Sequence, residues 1–226
     1  MLLRQLFDEA TWTYTYLLAD EQSKEAIIID AVLEQVERDV QLIRELGLTL
    51  QYAVDTHVHA DHITGAGQLR ERTGCQVGIA ACENVACADI GLKDGDSLQF
   101  GRHTLKVLAT PGHTSGCLSF VCEDKVFTGD ALFIRGCGRT DFQAGDADTL
   151  YTSITEKLFT LPDATIVYPG HDYKGMMLST IGEEKTHNPR LKLGREGFVD
   201  LMNNLNLAMP KRIHETVPAN QKCGLV

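Results

Sequence analysis

The run His57-Val58-His59-Ala60-Asp61-His62 decides how the rest of this 226-residue chain is read. It follows Leu48 to Val54, whose apolar and β-branched residues predict a strand, and precedes Thr64 to Arg72, which carries a helical pattern. The six residues therefore occupy a strand-to-helix loop. His57 and His59 lie two apart and point the same way from extended backbone, while Asp61 and His62 follow as the chain turns. A hydrogen-bonded core or surface role accounts for one isolated histidine; it does not account for four metal-binding groups at H-x-H-x-D-H spacing.

Working outward, the same arrangement recurs. His113 closes Thr110-Pro111-Gly112-His113, His171 closes Tyr168-Pro169-Gly170-His171, and Asp130 closes Phe127-Thr128-Gly129-Asp130, each directly after an apolar stretch. Loops at the ends of rigid strands hold side chains in fixed positions, so these turns are candidates to converge on one cleft. Trp12 to Leu18 and Ala26 to Ile29 predict an opening hairpin. Leu33, Val36, Val40 and Ile43 fall at helical spacing before a capping Gly47. Strands are expected at Gln76–Ala80, Thr104–Ala109, Cys117–Val121, Lys125–Thr128 and Thr165–Tyr168, with helices over Asp148–Phe159, Met176–Lys185 and Glu196–Asn204. Mixed strands and helices without an internal repeat predict an α/β protein, an αββα sandwich of two packed sheets flanked by helices.

The net charge of −10 argues against a broad grip on nucleic acid or an anionic membrane and favours a small substrate. Met1 to Glu9 reaches acidic residues too soon to supply the apolar stretch of a secretory signal, so the cytoplasm is the expected compartment. Seven cysteines without a C-x-x-C pair suggest neither a disulfide framework nor a zinc ribbon. They read as small core residues, with Cys223 as an accessible, oxidisable thiol and Cys137, between glycines and without an adjacent base, as non-catalytic.

Taken together, the His57–His62 run, His113, Asp130 and His171 resemble the metallo-β-lactamase superfamily over nearly the whole chain. That resemblance implies a single domain over residues 1–226 with a short C-terminal extension. It places His57, His59 and His113 at one metal position and Asp61, His62 and His171 at a second, with Asp130 between them. On motif physics alone this describes a two-metal hydrolase, of which glyoxalase II, acting on S-acylglutathione thioesters, is the obvious example.

A narrower resemblance shifts the balance. Gly129-Asp130-Ala131-Leu132-Phe133-Ile134-Arg135-Gly136-Cys137-Gly138-Arg139-Thr140-Asp141-Phe142-Gln143 is similar almost residue by residue to persulfide dioxygenases, as are Asn188-Pro189-Arg190-Leu191, Asn204-Leu205-Asn206-Leu207 and Val217-Pro218-Ala219-Asn220. The family implies one iron(II) per chain on His57, His113 and Asp130, with His59, Asp61, His62 and His171 arranged around those ligands. Two histidines and one carboxylate leave adjacent positions open for substrate and oxygen. The implied reaction is oxidation of glutathione persulfide by O2 and water to sulfite and glutathione. Arg139, Lys174 and Arg190 are the cations expected to meet the carboxylates of glutathione, and Tyr173 the hydroxyl expected beside the metal, in both catalysis and substrate binding. No nucleic acid or membrane partner is expected, and the expected assembly is a homodimer.

Overall fold

The computed structural model describes residues 1–225, so Val226, the last residue of the expected domain, lies outside the described residues. The chain opens with β1 (Leu2–Asp8), β2 (Thr13–Ala19), β3 (Glu25–Ile29), α1 (Val36–Glu45), β4 (Thr49–Val54), α2 (Ala66–Thr73), β5 (Gln76–Ala80) and β6 (Ile90–Leu92). It continues through β7 (Ser97–Phe100), β8 (His103–Ala109), β9 (Leu118–Cys122), β10 (Lys125–Gly129), α3 (Ala147–Glu156) and β11 (Ile166–Pro169). The last elements are β12 (Ser179–Thr180), α4 (Ile181–His187), α5 (Gly194–Asn203) and α6 (Ile213–Asn220). Two six-stranded sheets result, in the orders β1-β2-β3-β4-β5-β6 and β12-β11-β10-β9-β8-β7. Both are mixed and both carry helices, which is the α/β architecture expected from the sequence.

The chain divides into two compact units. The first takes Met1–Leu92, Ser97–Leu105 and the residues from Met209 onward. Its β1-β2-β3 meander is antiparallel, whereas β3, β4, β5 and β6 run parallel. Parallel strands buried on both faces read as continuous apolar runs, as Ala26-Ile27-Ile28-Ile29 does. Val36, Val40 and Ile43 of α1 and Ala66 and Leu69 of α2 pack on Leu17, Ile28, Leu50, Ala53 and Val77 of the strands. The expected helix over Leu33 to Gly47 is present as a short 3-10 turn followed by α1, with Gly47 in the left-handed region at φ 63°.

The second unit takes Lys93–Asp96 and Lys106–Ala208. Here β8 and β9, and β9 and β10, pair antiparallel, while β10 and β11 pair parallel, so β8, β10 and β11 all end at the same edge of the sheet. Leu150 and Ile154 of α3 and Phe198 and Met202 of α5 close the core over Val126 and Val167. The helix expected over Met176–Lys185 begins later, at Ile181. Gly175 has φ 77°, the Asp172 carboxylate holds a turn by accepting from the Lys174 and Met176 amides, and Thr180 caps α4 by accepting from the Glu183 amide.

The cysteine reading needs correction. Cys87 and Cys223 form a disulfide, and Cys223 is only 2% exposed, so it is neither accessible nor a thiol. No local motif announces a pair separated by 136 residues. By chain entropy, closing so long a loop contributes up to about 5 kcal/mol to stability. Reduction, or Cys87→Ser, is therefore expected to lower the urea midpoint, and the double variant Cys87→Ser with Cys223→Ser to be no worse than either single change. A midpoint unmoved by reductant would show that the bond carries no stability.

Candidate metal centre

In the first unit, β4 delivers the chain into a loop, residues 55–63, that is neither helix nor strand, its ends tied by the Asp55 amide to the Gly78 carbonyl and by the Ile63 carbonyl to the Leu33 amide. Its polar side chains are held from the neighbouring strand end. Asp30 follows β3 directly, which the parallel register of Ile29 with Val54 places beside the start of the loop. Asp30 accepts from the Thr56 amide at 2.7 Å and from its hydroxyl at 2.8 Å, and lies 3.2 Å from His59 Nε2. Thr56 Oγ1 in turn lies 3.0 Å from His57 Nδ1. The three rings lie in series, tilted against one another, with centroids 4.2 Å apart from His57 to His59 and again from His59 to His62. His62 Nδ1 sits 2.9 Å from the Asp61 carboxylate, which also accepts from the Thr13 hydroxyl at 3.2 Å. One ligand atom from each of His59, Asp61 and His62 lies within 4.8 Å of the others, and the same holds for Asp30, Asp55 and His59.

The electrostatics follow from burial. Full burial opposes a charge on His59, but Asp30, by charge and by hydrogen bond, with help from Asp55 and Asp61, overrides it and raises the imidazole to about 9. Burial pushes the neighbouring Asp55 carboxyl up to about 7. His59 Nδ1 is buried with no hydrogen-bond partner. With Nε2–H directed at Asp30, loss of the second proton would leave a buried Nδ1 lone pair, and a divalent cation in this loop of imidazoles and carboxylates would take that proton's place.

In the second unit, His113 follows β8, Asp130 follows β10 and His171 follows β11. His113 Nδ1 lies 2.6 Å from the Arg139 carbonyl, an acceptor only, so Nδ1–H donates and the neutral ring presents Nε2 as a lone pair. That Nε2 is 3.5 Å from Asp130 Oδ2, and the other carboxylate oxygen accepts from His171 Nδ1–H at 2.9 Å. Two glycines allow this closeness. A Cβ on Gly138 would stand 2.8 Å from His113 Nδ1, and one on Gly170 would stand 2.6 Å from Asp130 Oδ1.

Beside His171 lies a pocket of about 290 Å³ lined by residues that include Phe133, Arg135, Tyr173, Lys174 and Arg190. Tyr173 is 61% exposed and stacks on His171 with ring centroids 6.0 Å apart. The Arg190 guanidinium donates to the Cys137 carbonyl at 3.0 Å. Arg139 is differently employed. Its guanidinium forks onto Asp141 at 2.6 and 2.7 Å, donates to the Ala208 carbonyl and lies over the Phe142 ring, and it does not line this pocket. Cys137 is buried, and burial pushes its thiol up to about 11, in keeping with a non-catalytic role.

Sequence reasoning missed Asp30, Asp55 and Thr56. The signal for Asp30 was present, since Ile27-Ile28-Ile29-Asp30 is the same apolar run ending in a carboxylate that singled out Asp130. The ion pair has a testable pH signature in metal-free protein. His59 is raised above its unfolded value of 6.5, so the stability it contributes is present in full below pH 6.5 and lost as pH rises through about 9. Asp30→Asn should flatten that decline and lower the His59 titration in NMR; an unchanged titration would remove Asp30 as its cause.

Similarity to known proteins agrees with this architecture. The model of the metallo-beta-lactamase superfamily matches residues 13–171. The chain is 57% identical over 228 residues to persulfide dioxygenase ETHE1, mitochondrial, of Bos taurus, covering 100% of this chain and 89% of the relative. The crystal structure of ETHE1 from Myxococcus xanthus matches with TM-score 0.95 and 54% identity, covering 99% of this chain and 100% of that one. Hydroxyacylglutathione hydrolase of Rhizobium johnstonii is 42% identical over only 131 residues, 56% of this chain and 50% of the relative. The chain belongs to the metallo-β-lactamase superfamily and, within it, to the persulfide dioxygenases.

Proposed function

We propose that this chain oxidises glutathione persulfide with O2 and water, yielding sulfite and glutathione, and that His57, His113 and Asp130 hold one iron(II). The observation that carries the reading is whole-length identity of 57% to a relative named as a persulfide dioxygenase. The donor set supports it: two imidazoles and a carboxylate, with His113 held by donating Nδ1–H to the Arg139 carbonyl and Asp130 by accepting from His171. Bound there, iron(II) would supply the electron transfer between the persulfide sulfur and O2.

The chain's own residues have the tasks of binding and orienting. Glutathione brings two carboxylates to an acidic protein, so its recognition needs local cations. Lys174 and Arg190 line the pocket beside His171, and Tyr173 offers a hydroxyl at its rim. Arg139 is given a bracing role in this proposal, since Asp141 already occupies both arms of its fork. The thiol product and the substrate suit a reducing compartment such as the cytoplasm, where the Cys87–Cys223 disulfide would be open to reduction.

A second reading, a binuclear hydrolase of S-acylglutathione thioesters, has one observation in its favour, the grouping of His59, Asp61 and His62. Anaerobic loading with Fe(II), metal analysis, and sulfite measurement after adding O2 and glutathione persulfide separate the two. One iron per chain with sulfite formed is expected; two metals with anaerobic hydrolysis of S-lactoylglutathione would overturn the proposal. Asp130→Ala should lose iron and activity together. Arg190→Ala should keep iron and raise KM about tenfold or more, the scale of a lost hydrogen bond between charged groups. Full iron occupancy in Asp130→Ala would contradict the ligand assignment.

A further inference from the structure

The segment Val217-Pro218-Ala219-Asn220 has no part in the chemistry described so far, yet its last side chain is buried and reaches the metal loop. Asn220 is 3% exposed. Its carboxamide nitrogen donates to the His59 carbonyl at 2.8 Å and to the His62 carbonyl at 2.9 Å, and its oxygen accepts from the Thr64 amide at 2.8 Å. One helical turn earlier on the same face of α6, the Thr216 hydroxyl donates to the Ala60 carbonyl at 2.9 Å. The loop has no ladder of its own, and buried peptide groups must find partners. Among side chains, a primary amide combines two donors with an acceptor on one planar group. Here two carbonyls and one amide meet it.

The helix that carries Asn220 is itself held. The Cys223 carbonyl accepts from the Gly67 amide at 3.0 Å, and its sulfur is bonded to Cys87. Gly224 follows in the left-handed region, where a Cβ would stand 1.9 Å from the Thr64 carbonyl oxygen. The C-terminal segment is thus pressed onto the loop from the end of α6 through Gly224, and Asn220 sits in a fixed frame.

We infer that Asn220 is a positioning residue for metal binding: its carboxamide sets the main-chain path on which His57, His59 and His62 are mounted, and so tunes the affinity of the site. The inference rests on the proposal above only in taking this loop to bind a metal; it depends neither on iron nor on persulfide. Asn220→Asp keeps the bond to Thr64 and removes both donors, and Asn220→Ala removes all three bonds. Asn188, a buried asparagine bonded to the Gly136 carbonyl and Glu184 in the second unit, is the control for loss of stability alone.

The experiment titrates metal-free protein with Co(II) under anaerobic conditions, reading stoichiometry, affinity and the visible ligand-field spectrum, with thermal melting alongside. Both Asn220 variants are expected to bind Co(II) roughly 10- to 100-fold more weakly, the scale for groups that orient ligands, and with an altered spectrum. Asn188→Ala is expected to melt lower yet bind as the wild type does. Folded Asn220 variants with wild-type affinity and spectrum would overturn the inference. So would an equal loss of affinity in Asn188→Ala, which would reduce the effect to general destabilisation. Should neither Asn220 variant fold, Thr216→Val decides: a several-fold loss of affinity supports the brace, and wild-type affinity overturns it. Two Co(II) per wild-type chain would instead count against the one-iron reading and leave the Asn220 comparison intact.

Discussion

A buried loop without a ladder is the constraint from which the first unit follows. His57 and His59 are 1% exposed and His62 is fully buried, so their own peptide groups must find partners within the protein. Two elements remote in sequence supply what a strand or helix would have supplied. Asp30, at the end of β3, accepts from the Thr56 amide and hydroxyl, and α6 answers the carbonyls of His59, Ala60 and His62. The parallel pairing of β3 with β4 is what brings Asp30 to the loop, and the disulfide to Cys87 is what ties down the residues after α6. The sheet, the C-terminal helix and the cross-link thus share one purpose, to hold a series of adjoining imidazoles in a fixed conformation.

The second unit solves a related problem by strand direction. Because β8, β10 and β11 end at one edge of their sheet, His113, Asp130 and His171 all follow strands that run the same way, with a register shift between Phe127 and Gly129 just before Asp130. Closeness then needs room, which Gly138 and Gly170 provide by lacking the atom that would strike His113 and Asp130. The segment after Asp130 folds back so that the Arg139 carbonyl meets His113, and the side chain of the same residue, paired with Asp141 and laid over Phe142, fixes that carbonyl. Ordering a side chain costs up to ~2 kcal/mol, and here that ordering is done before any ligand is present.

How much of this could be read from the sequence depended on whether the cause was local. The strands β2, β5 and β10 and the helices α1 and α3 announce themselves through apolar period and capping residues such as Asp146, which accepts from the Thr149 amide. By contrast β6, β7 and β12 are two to four residues long, too short to show a period, and β1 lacks alternation because Leu2-Leu3 and Leu6-Phe7 place apolar residues side by side. The helix α6 contains Pro218, which argues against a helix on sequence grounds. His113, Asp130 and His171 stand out because each follows an apolar run, and His57 to His62 stand out through their spacing after β4. Less legible are the partners that orient them, although Asp30 closes an apolar run as Asp130 does. Asp30, Arg139's carbonyl and Asn220 act across 26 to 161 residues of sequence, and a carbonyl has no residue signature at all.

Charge distribution links the architecture to the kind of ligand it can accept. The chain carries 31 acidic residues against 21 Lys and Arg, so an anion meets an unfavourable field at a distance and must be received locally. Two cations near the unit-two pocket are already neutralised: Arg135 pairs with Glu183 and Glu184, and Arg139 with Asp141. Arg190 differs, because its guanidinium is engaged by a carbonyl and two sulfur atoms, none of which cancels its charge. A partly buried arginine held in place by neutral acceptors keeps both its positive field and its orientation. That is the form in which a cation best recognises a carboxylate, since little ordering is left to perform on binding.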